Sequence, residues 1–278
     1  MRNLKDAKIA LLEARMSDEM ASLIERSGAA RPFCVPAVRE SLIENPETTQ
    51  QVSTFIDHLV NADIRIVAFQ TGVGVHALCK EAERLQRLPE LLTALQQVTI
   101  VARGQKPSGA LKRYGVQATI SAREPYTTQD LLDAFDTIDV RGATIGVVHY
   151  GERNAAFVQS LQERGAHVEE LCLYEWLMPE DTSLLQTLIH DIIDAQVDAV
   201  VFTSQIQVRH LFQIAADLNL AQELALALNT KTIVASIGPT CTGVLQNYGV
   251  TPHVVPEHPK MGHLVKALIS YMSLPTAR

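Results

Sequence analysis

The chain repeats itself. Val67-Ala68-Phe69-Gln70-Thr71 returns 133 residues later as Val200-Val201-Phe202-Thr203-Ser204, and Val75 returns as Val208. Thr99-Ile100-Val101-Ala102 returns at the same spacing as Thr232-Ile233-Val234-Ala235. After one inserted residue the spacing becomes 134: Gly104, Leu111 and Tyr114-Gly115-Val116 match Gly238, Leu245 and Tyr248-Gly249-Val250. Each copy reads as an apolar strand, a small polar turn and a helix start. Such a duplication restricts the chain to an α/β fold with two similar halves, and two facing halves predict a cleft.

A second pair of segments flanks the repeated platforms. Ile9-Ala10-Leu11-Leu12 reads as a buried strand, Ser17 as an N-cap, and Met20, Leu23 and Ile24 as a helical stripe. Thr144-Ile145-Gly146-Val147-Val148, with Phe157 and Leu161 on the following helix, repeats that arm, and a strand over 168–174 follows. The strand cores are continuous apolar runs that alternate with helices, which predicts parallel sheets covered on both faces. The stretches Pro36 to Asn45 and Tyr174 to Thr182 read as linkers. A linear cut near residue 140 and an interleaved layout, in which the first arm joins the last platform, are both compatible with periodicity.

Composition excludes several classes. The net charge of −7, without a run of Lys or Arg, argues against a nucleic-acid partner. No apolar run reaches the roughly 18 residues that span a bilayer, and Met1 to Asp6 lack the apolar core of a secretory signal. Cys34, Cys79, Cys172 and Cys241 are too scattered for a metal or redox motif and read as reduced, buried thiols of a cytoplasmic protein. The histidines give no metal-ligand spacing; His149, at a strand end beside Tyr150, is the one near the inferred cleft. Gly72-Val73-Gly74 is only a fragment of a dinucleotide fingerprint, since Ala77 stands where the third glycine belongs. There is no Walker motif and no nucleophile elbow, so neither metal nor cofactor is expected.

Chemistry is expected where strands end and helices begin, because ligands of parallel α/β sheets bind beyond the carboxyl ends of the strands. The turns at Gln70 to Gly74, Arg103 to Lys106, Thr203 to Ile206 and Gly238 to Thr240 each open a helix. Free backbone N–H groups and the helix dipole make such ends receptive to anions. Any one of these turns alone reads as an ordinary cap. Four in two repeated pairs favour a polyanionic ligand, with hydroxyls from Thr71, Ser204 and Thr240. Nearby cations are few (Arg15, Arg103, Lys106, Arg209), so backbone N–H groups would carry much of the load.

At these residues the chain resembles the uroporphyrinogen-III synthase family. The resemblance lies in Val201-Phe202-Thr203-Ser204 with Val208, in Ala235 to Thr240 followed by Leu245 and Gly249, and in Thr71-Gly72-Val73-Gly74-Val75 with Ala102-Arg103-Gly104-Gln105-Lys106. Leu173-Tyr174 at the second linker completes it. Gln205-Ile206-Gln207 departs from the small residues found there in many members. The resemblance implies two α/β lobes, each a parallel sheet flanked by helices, joined by a two-stranded linker with a cleft between them. It selects the interleaved layout, with residues 1–37 and 177–278 in one lobe and 38–176 in the other.

It also implies a cytoplasmic, monomeric, cofactor-free lyase. The enzyme would cyclise hydroxymethylbilane, an octacarboxylate linear tetrapyrrole, with inversion of ring D and loss of water. Transient contact with the upstream hydroxymethylbilane synthase is part of that picture. By this resemblance Tyr174 is the catalytic candidate, and Thr71, Gly72, Arg103, Lys106, Thr203, Ser204, Gln205, Gly238 and Thr240 are the substrate-binding candidates. A non-enzymatic two-lobe module that senses a tetrapyrrole or small anion is the rival reading, and a nucleotide-dependent enzyme is disfavoured by the missing fingerprints.

Overall fold

A computed structural model describes residues 4–274. In chain order the elements are β1 (Ile9–Leu11), α1 (Ser17–Arg26), β2 (Phe33–Cys34), β3 (Arg39–Leu42), α2 (Pro46–Val60), β4 (Ile64–Phe69), α3 (Gly72–Arg84) and α4 (Leu88–Leu95). They continue with β5 (Thr99–Ala102), α5 (Gln105–Arg113), β6 (Ile120–Ser121), α6 (Thr128–Ala134), β7 (Thr144–Val148), α7 (Ala155–Glu163), β8 (His167–Leu171) and β9 (Tyr174–Leu177). The last are α8 (Ser183–Ile193), β10 (Ala199–Phe202), α9 (Gln205–Asp217), α10 (Ala221–Thr230), β11 (Ile233–Ser236), α11 (Pro239–Asn247) and α12 (Met261–Met272).

The chain divides into two compact units, Met1–Arg39 with Leu177–Arg278, and Glu40–Trp176. It passes between them within β3 and β9, which pair as a two-stranded sheet in the stretches read as linkers. Tyr174 therefore opens a separate strand, where the sequence led us to expect it at the end of the preceding one. The hydrogen bond from Ile43 N–H to the Leu173 carbonyl, at 3.0 Å, continues the β3–β9 pairing past the end of β3.

The unit that holds both termini is built on a parallel sheet in the order β11-β10-β1-β2. Successive strand residues point to opposite faces. Ala10, Val200, Phe202 and Val234 pack under α8, α9, α10 and α11, whereas Ile9, Leu11, Val201 and Ala235 pack under α1 and α12. Two covered faces explain why the strand cores read as unbroken apolar runs. Ser17 is the first residue of α1 rather than its cap, with Met16 at the cap position; its hydroxyl donates to the Ala14 carbonyl at 3.3 Å.

The other unit has the parallel order β6-β5-β4-β7-β8. Val67, Phe69, Ile100 and Val148 face α2, α3, α4 and α5, and Ile66, Ala68, Val101 and Val147 face α6 and α7. The apolar stripe of α3 is Val75, Leu78, Cys79 and Ala82, and that of α9 in the first unit is Val208, Leu211, Phe212 and Ala215, as the 3.6-residue period predicts. Among the described residues no helix is long and apolar enough to cross a membrane. The cysteines are not uniformly buried: Cys34 is exposed and Cys172 intermediate.

Strand register corrects the internal alignment. Val67 lies beside Ile100, and Val200 beside Val234. Arg103 N–H donates to the Phe69 carbonyl at 3.0 Å, and Ile237 N–H to the Phe202 carbonyl at 3.0 Å. β5 and β11 thus correspond at an offset of 134 along their whole length, and the inserted residue enters before β11. Two Thr-Ile-Val-Ala runs look alike in a string, but a one-residue slip would turn every side chain to the wrong face of the sheet. The structural counterpart of Arg103 is Ile237.

Candidate active site

In the second unit the turn after β4 is set by Thr71. Its backbone is extended (φ −145°), and its hydroxyl oxygen accepts the Gly74 N–H at 2.9 Å, capping α3. The same oxygen lies 2.9 Å from the Tyr174 hydroxyl, so the candidate catalytic residue and a candidate binding residue meet directly. Tyr174 is 3% exposed. Burial pushes its hydroxyl above the ordinary tyrosine value; Thr71, the Gly151 backbone and Arg103 pull the other way without reversing the shift. The phenol therefore holds its proton at neutral pH.

Gly72 opens α3 against the turn after β5. A Cβ there would stand 3.0 Å from the Lys106 carbonyl oxygen, so a side chain would push the two turns apart. Lys106 lies exposed in the first turn of α5. The Arg103 guanidinium carbon lies 5.0 Å from the centre of the Tyr150 ring. Burial draws the guanidinium down from its ordinary value, opposed by Tyr150 and Tyr174. Among the described residues no carboxylate pairs with Arg103, although its charge persists in any protein environment. Tyr150 packs on Trp176 with ring centres 5.4 Å apart, and Trp176 meets Tyr174 edge-on at 6.4 Å. A Cβ on Gly151 would fall 2.5 Å from the Trp176 ring, so glycine admits the indole.

In the first unit the corresponding helix end is occupied by the protein's own side chains. The Gln207 amide oxygen accepts from Thr203 N–H at 2.7 Å and from Ser204 N–H at 3.2 Å. The Gln207 amide N–H donates to the Thr203 hydroxyl at 2.9 Å. Thr203 in turn donates its hydroxyl proton to the Glu13 carboxylate, whose other oxygen accepts Arg15 N–H at 3.2 Å and Met16 N–H at 3.3 Å. Gln205 follows as the first residue of α9. Gly238 stands at the cap of α11 in extended conformation, φ 171°, and Thr240 lies exposed on the first turn.

The turns recognised in the sequence all stand at strand carboxyl ends, and Thr71, Tyr174 and Arg103 gather at one end of the second unit. Sequence reasoning gave no role to Tyr150 and Trp176, which carry and flank Arg103, or to Glu13, Gln70, Asn154 and Gln207, which complete the turns. Tyr150-Gly151 ahead of the single tryptophan was the available signal for the aromatic group. Gln207 had a signal, the Ser-x-x-Gln capping box that starts at Ser204; Glu13 left none, because its partner Thr203 lies across the sheet.

Comparison with known proteins places the chain in a family. The family model described as Uroporphyrinogen-III synthase HemD matches residues 18–266. A Bacillus subtilis relative, Uncharacterized protein YjjA, is 29% identical over 97% of both chains. A uroporphyrinogen-III synthase of Chlorobaculum parvum is 25% identical over 63% of this chain and 67% of its own length. The crystal structure of a mutant uroporphyrinogen III synthase from the extremely thermophilic bacterium Thermus thermophilus matches with a TM-score of 0.76 at 26% identity, covering 96% of this chain and 98% of that one. With the family model spanning most of its length, the chain belongs to the uroporphyrinogen-III synthase family.

Proposed function

We propose that the chain cyclises hydroxymethylbilane to uroporphyrinogen III, with Tyr174 assisting departure of the hydroxyl group. The observation that carries this reading is the buried Tyr174 hydroxyl, 2.9 Å from the Thr71 oxygen at the opening of α3. The Thr71 oxygen already accepts Gly74 N–H, so its own proton is free to turn towards the phenol oxygen. Tyr174 can then direct its proton at the substrate's hydroxymethyl oxygen.

The pyrrole nitrogen's electron pair breaks the carbon–oxygen bond, and the oxygen leaves as water with the proton from Tyr174. The resulting azafulvene is attacked by the substituted carbon of ring D, giving a spiro intermediate that rearranges and closes. Loss of a pyrrole-ring proton restores aromaticity and balances the proton given by Tyr174. Most of the catalytic task is conformational, because the leaving group departs with little help once the pyrrole electrons are aligned. Holding the bilane so that ring D attacks through the correct carbon can supply many kcal/mol.

In this reading Thr71, Gly72, Arg103 and Lys106 bind substrate carboxylates through one unit, and Thr203, Ser204, Gln205, Gly238 and Thr240 do so through the other. The assignment of residues 1–37 with 177–278 to one substrate-gripping lobe and 38–176 to the second belongs to the same proposal. So do a cytoplasmic monomer and transient contact with the upstream hydroxymethylbilane synthase. The test is incubation with hydroxymethylbilane followed by oxidation and separation of isomers. Type III product is expected; type I alone, the spontaneous product, overturns the reading.

A further inference from the structure

We propose that His149 positions the reacting groups by tying the Thr71 turn to the Tyr150 turn through one oriented chain of hydrogen bonds. The inference rests on the reaction proposed above and concerns a residue outside its binding and catalytic set. His149 follows β7 and is 1% exposed, as is Gln70. Its Nδ1 lies 3.1 Å from the Gln70 amide nitrogen and 3.2 Å from Asn154 N–H, and its Nε2 lies 2.8 Å from a Glu170 carboxylate oxygen.

Backbone donors fix every orientation in this chain. Phe157 N–H donates to the Asn154 amide oxygen at 3.3 Å, so the Asn154 amide nitrogen is the group that donates to the Gln70 oxygen at 3.2 Å and to the Thr128 hydroxyl at 3.1 Å. The Gln70 nitrogen must then face His149 as a donor. Nδ1 receives this donor and the Asn154 backbone N–H, so it carries a lone pair. The imidazole proton sits on Nε2 and is donated to Glu170, which Arg153 grips at 2.7 Å through two of its nitrogens.

The chain reaches the site from both sides. Gln70 precedes Thr71, whose oxygen meets Tyr174. His149 precedes Tyr150, on which Arg103 lies. Protonation of Nδ1 would set a third donor against the Gln70 and Asn154 donors and free both turns at once. Of the charged groups set against the ring, Glu170 on β8 favours that proton and Arg153 ahead of α7 opposes it, while burial opposes it most.

The experiment measures kcat and KM for type III formation by wild type and His149→Asn between about pH 5 and pH 8. Wild type is expected to lose type III turnover on the acid side, with spontaneous type I taking over. His149→Asn keeps an acceptor near the Nδ1 position but has no titrating ring; it should show kcat about tenfold lower near neutrality, from imperfect placement of the turns, and no acid limb. A folded variant that keeps the wild-type acid limb overturns the inference. Should the variant not fold, nitrogen NMR of labelled wild type decides: a ring protonated on Nε2 alone near neutrality supports the chain, and a proton on Nδ1 overturns it. A wild type that forms only type I product would instead remove the underlying reaction.

Discussion

Where the central strand ends, the two units place different chemistry on the same backbone. In one, His149 faces Gln70; at the corresponding register in the other, Glu13 faces Thr203. At the same level after the neighbouring strand, Arg103 in one unit answers to Ile237 in the other. The repeated platform thus carries a cation and a buried, neutral network on one side, and a carboxylate tied to a threonine on the other. Both helices still begin at capped turns, through Thr71 on Gly74 and through Gln207 on Thr203 and Ser204. Duplication preserved the backbone geometry, which depends on caps and apolar registers, while the charges diverged.

By this comparison, chemistry is expected in the unit with Tyr174. Tyr174→Phe is expected to slow type III formation about 100-fold, the scale of a positioned proton donor, with an unchanged circular-dichroism spectrum. Unchanged turnover would remove Tyr174 from the mechanism and erase the asymmetry. The cation should matter next. Arg103→Met is expected to raise KM about tenfold, as loss of a charge-assisted hydrogen bond to a carboxylate implies. Ile237→Leu, at the matching place, should leave KM within about twofold, since an isosteric swap removes no charged partner. Equal effects at the two positions would mean that the units bind substrate alike.

A smaller effect is expected at Glu13. Glu13→Gln removes a negative charge from the turn before α9 while keeping an acceptor for the loop N–H groups. Affinity for the octacarboxylate product should rise about threefold at low salt and less at high salt, because such charge effects are screened. No change at low salt would place substrate carboxylates far from that turn. The least effect is on stability. Burial holds the folded His149 below its ordinary value of 6.5, so its contribution is complete above that value and is lost as pH falls through the folded one. Wild type should melt at a lower temperature across that window, and His149→Asn should lack this step in a scan of melting temperature against pH.

Much of the fold is legible in local sequence. Unbroken apolar runs such as Val67 to Phe69 and Ala199 to Phe202, each followed by a polar turn, specify strand, turn and helix start in parallel sheets covered on both faces. The candidate site was legible to the same depth: Thr71, Ser204 and Gly238 stand at helix caps because capping is a local interaction. The role of Tyr174 came only from the resemblance to a family, and its place at the head of β9 and its bond to Thr71 are products of chain crossing. Gln207 was open to reading as the last residue of a Ser-x-x-Gln capping box, whereas Glu13 was illegible because its partner Thr203 lies 190 positions away.

By itself, then, the sequence determined the elements, their apolar faces and the turns that open the helices, since each depends on residues within a few positions of one another. Only the tertiary structure decided that β1 lies beside β10, that the repeat slips before β11 so that Arg103 answers to Ile237, and that His149 meets Gln70 where Glu13 meets Thr203. Those pairings join residues scores to nearly two hundred positions apart. They are selected by which faces of the sheets must be buried together, a condition that no local stretch of chain contains.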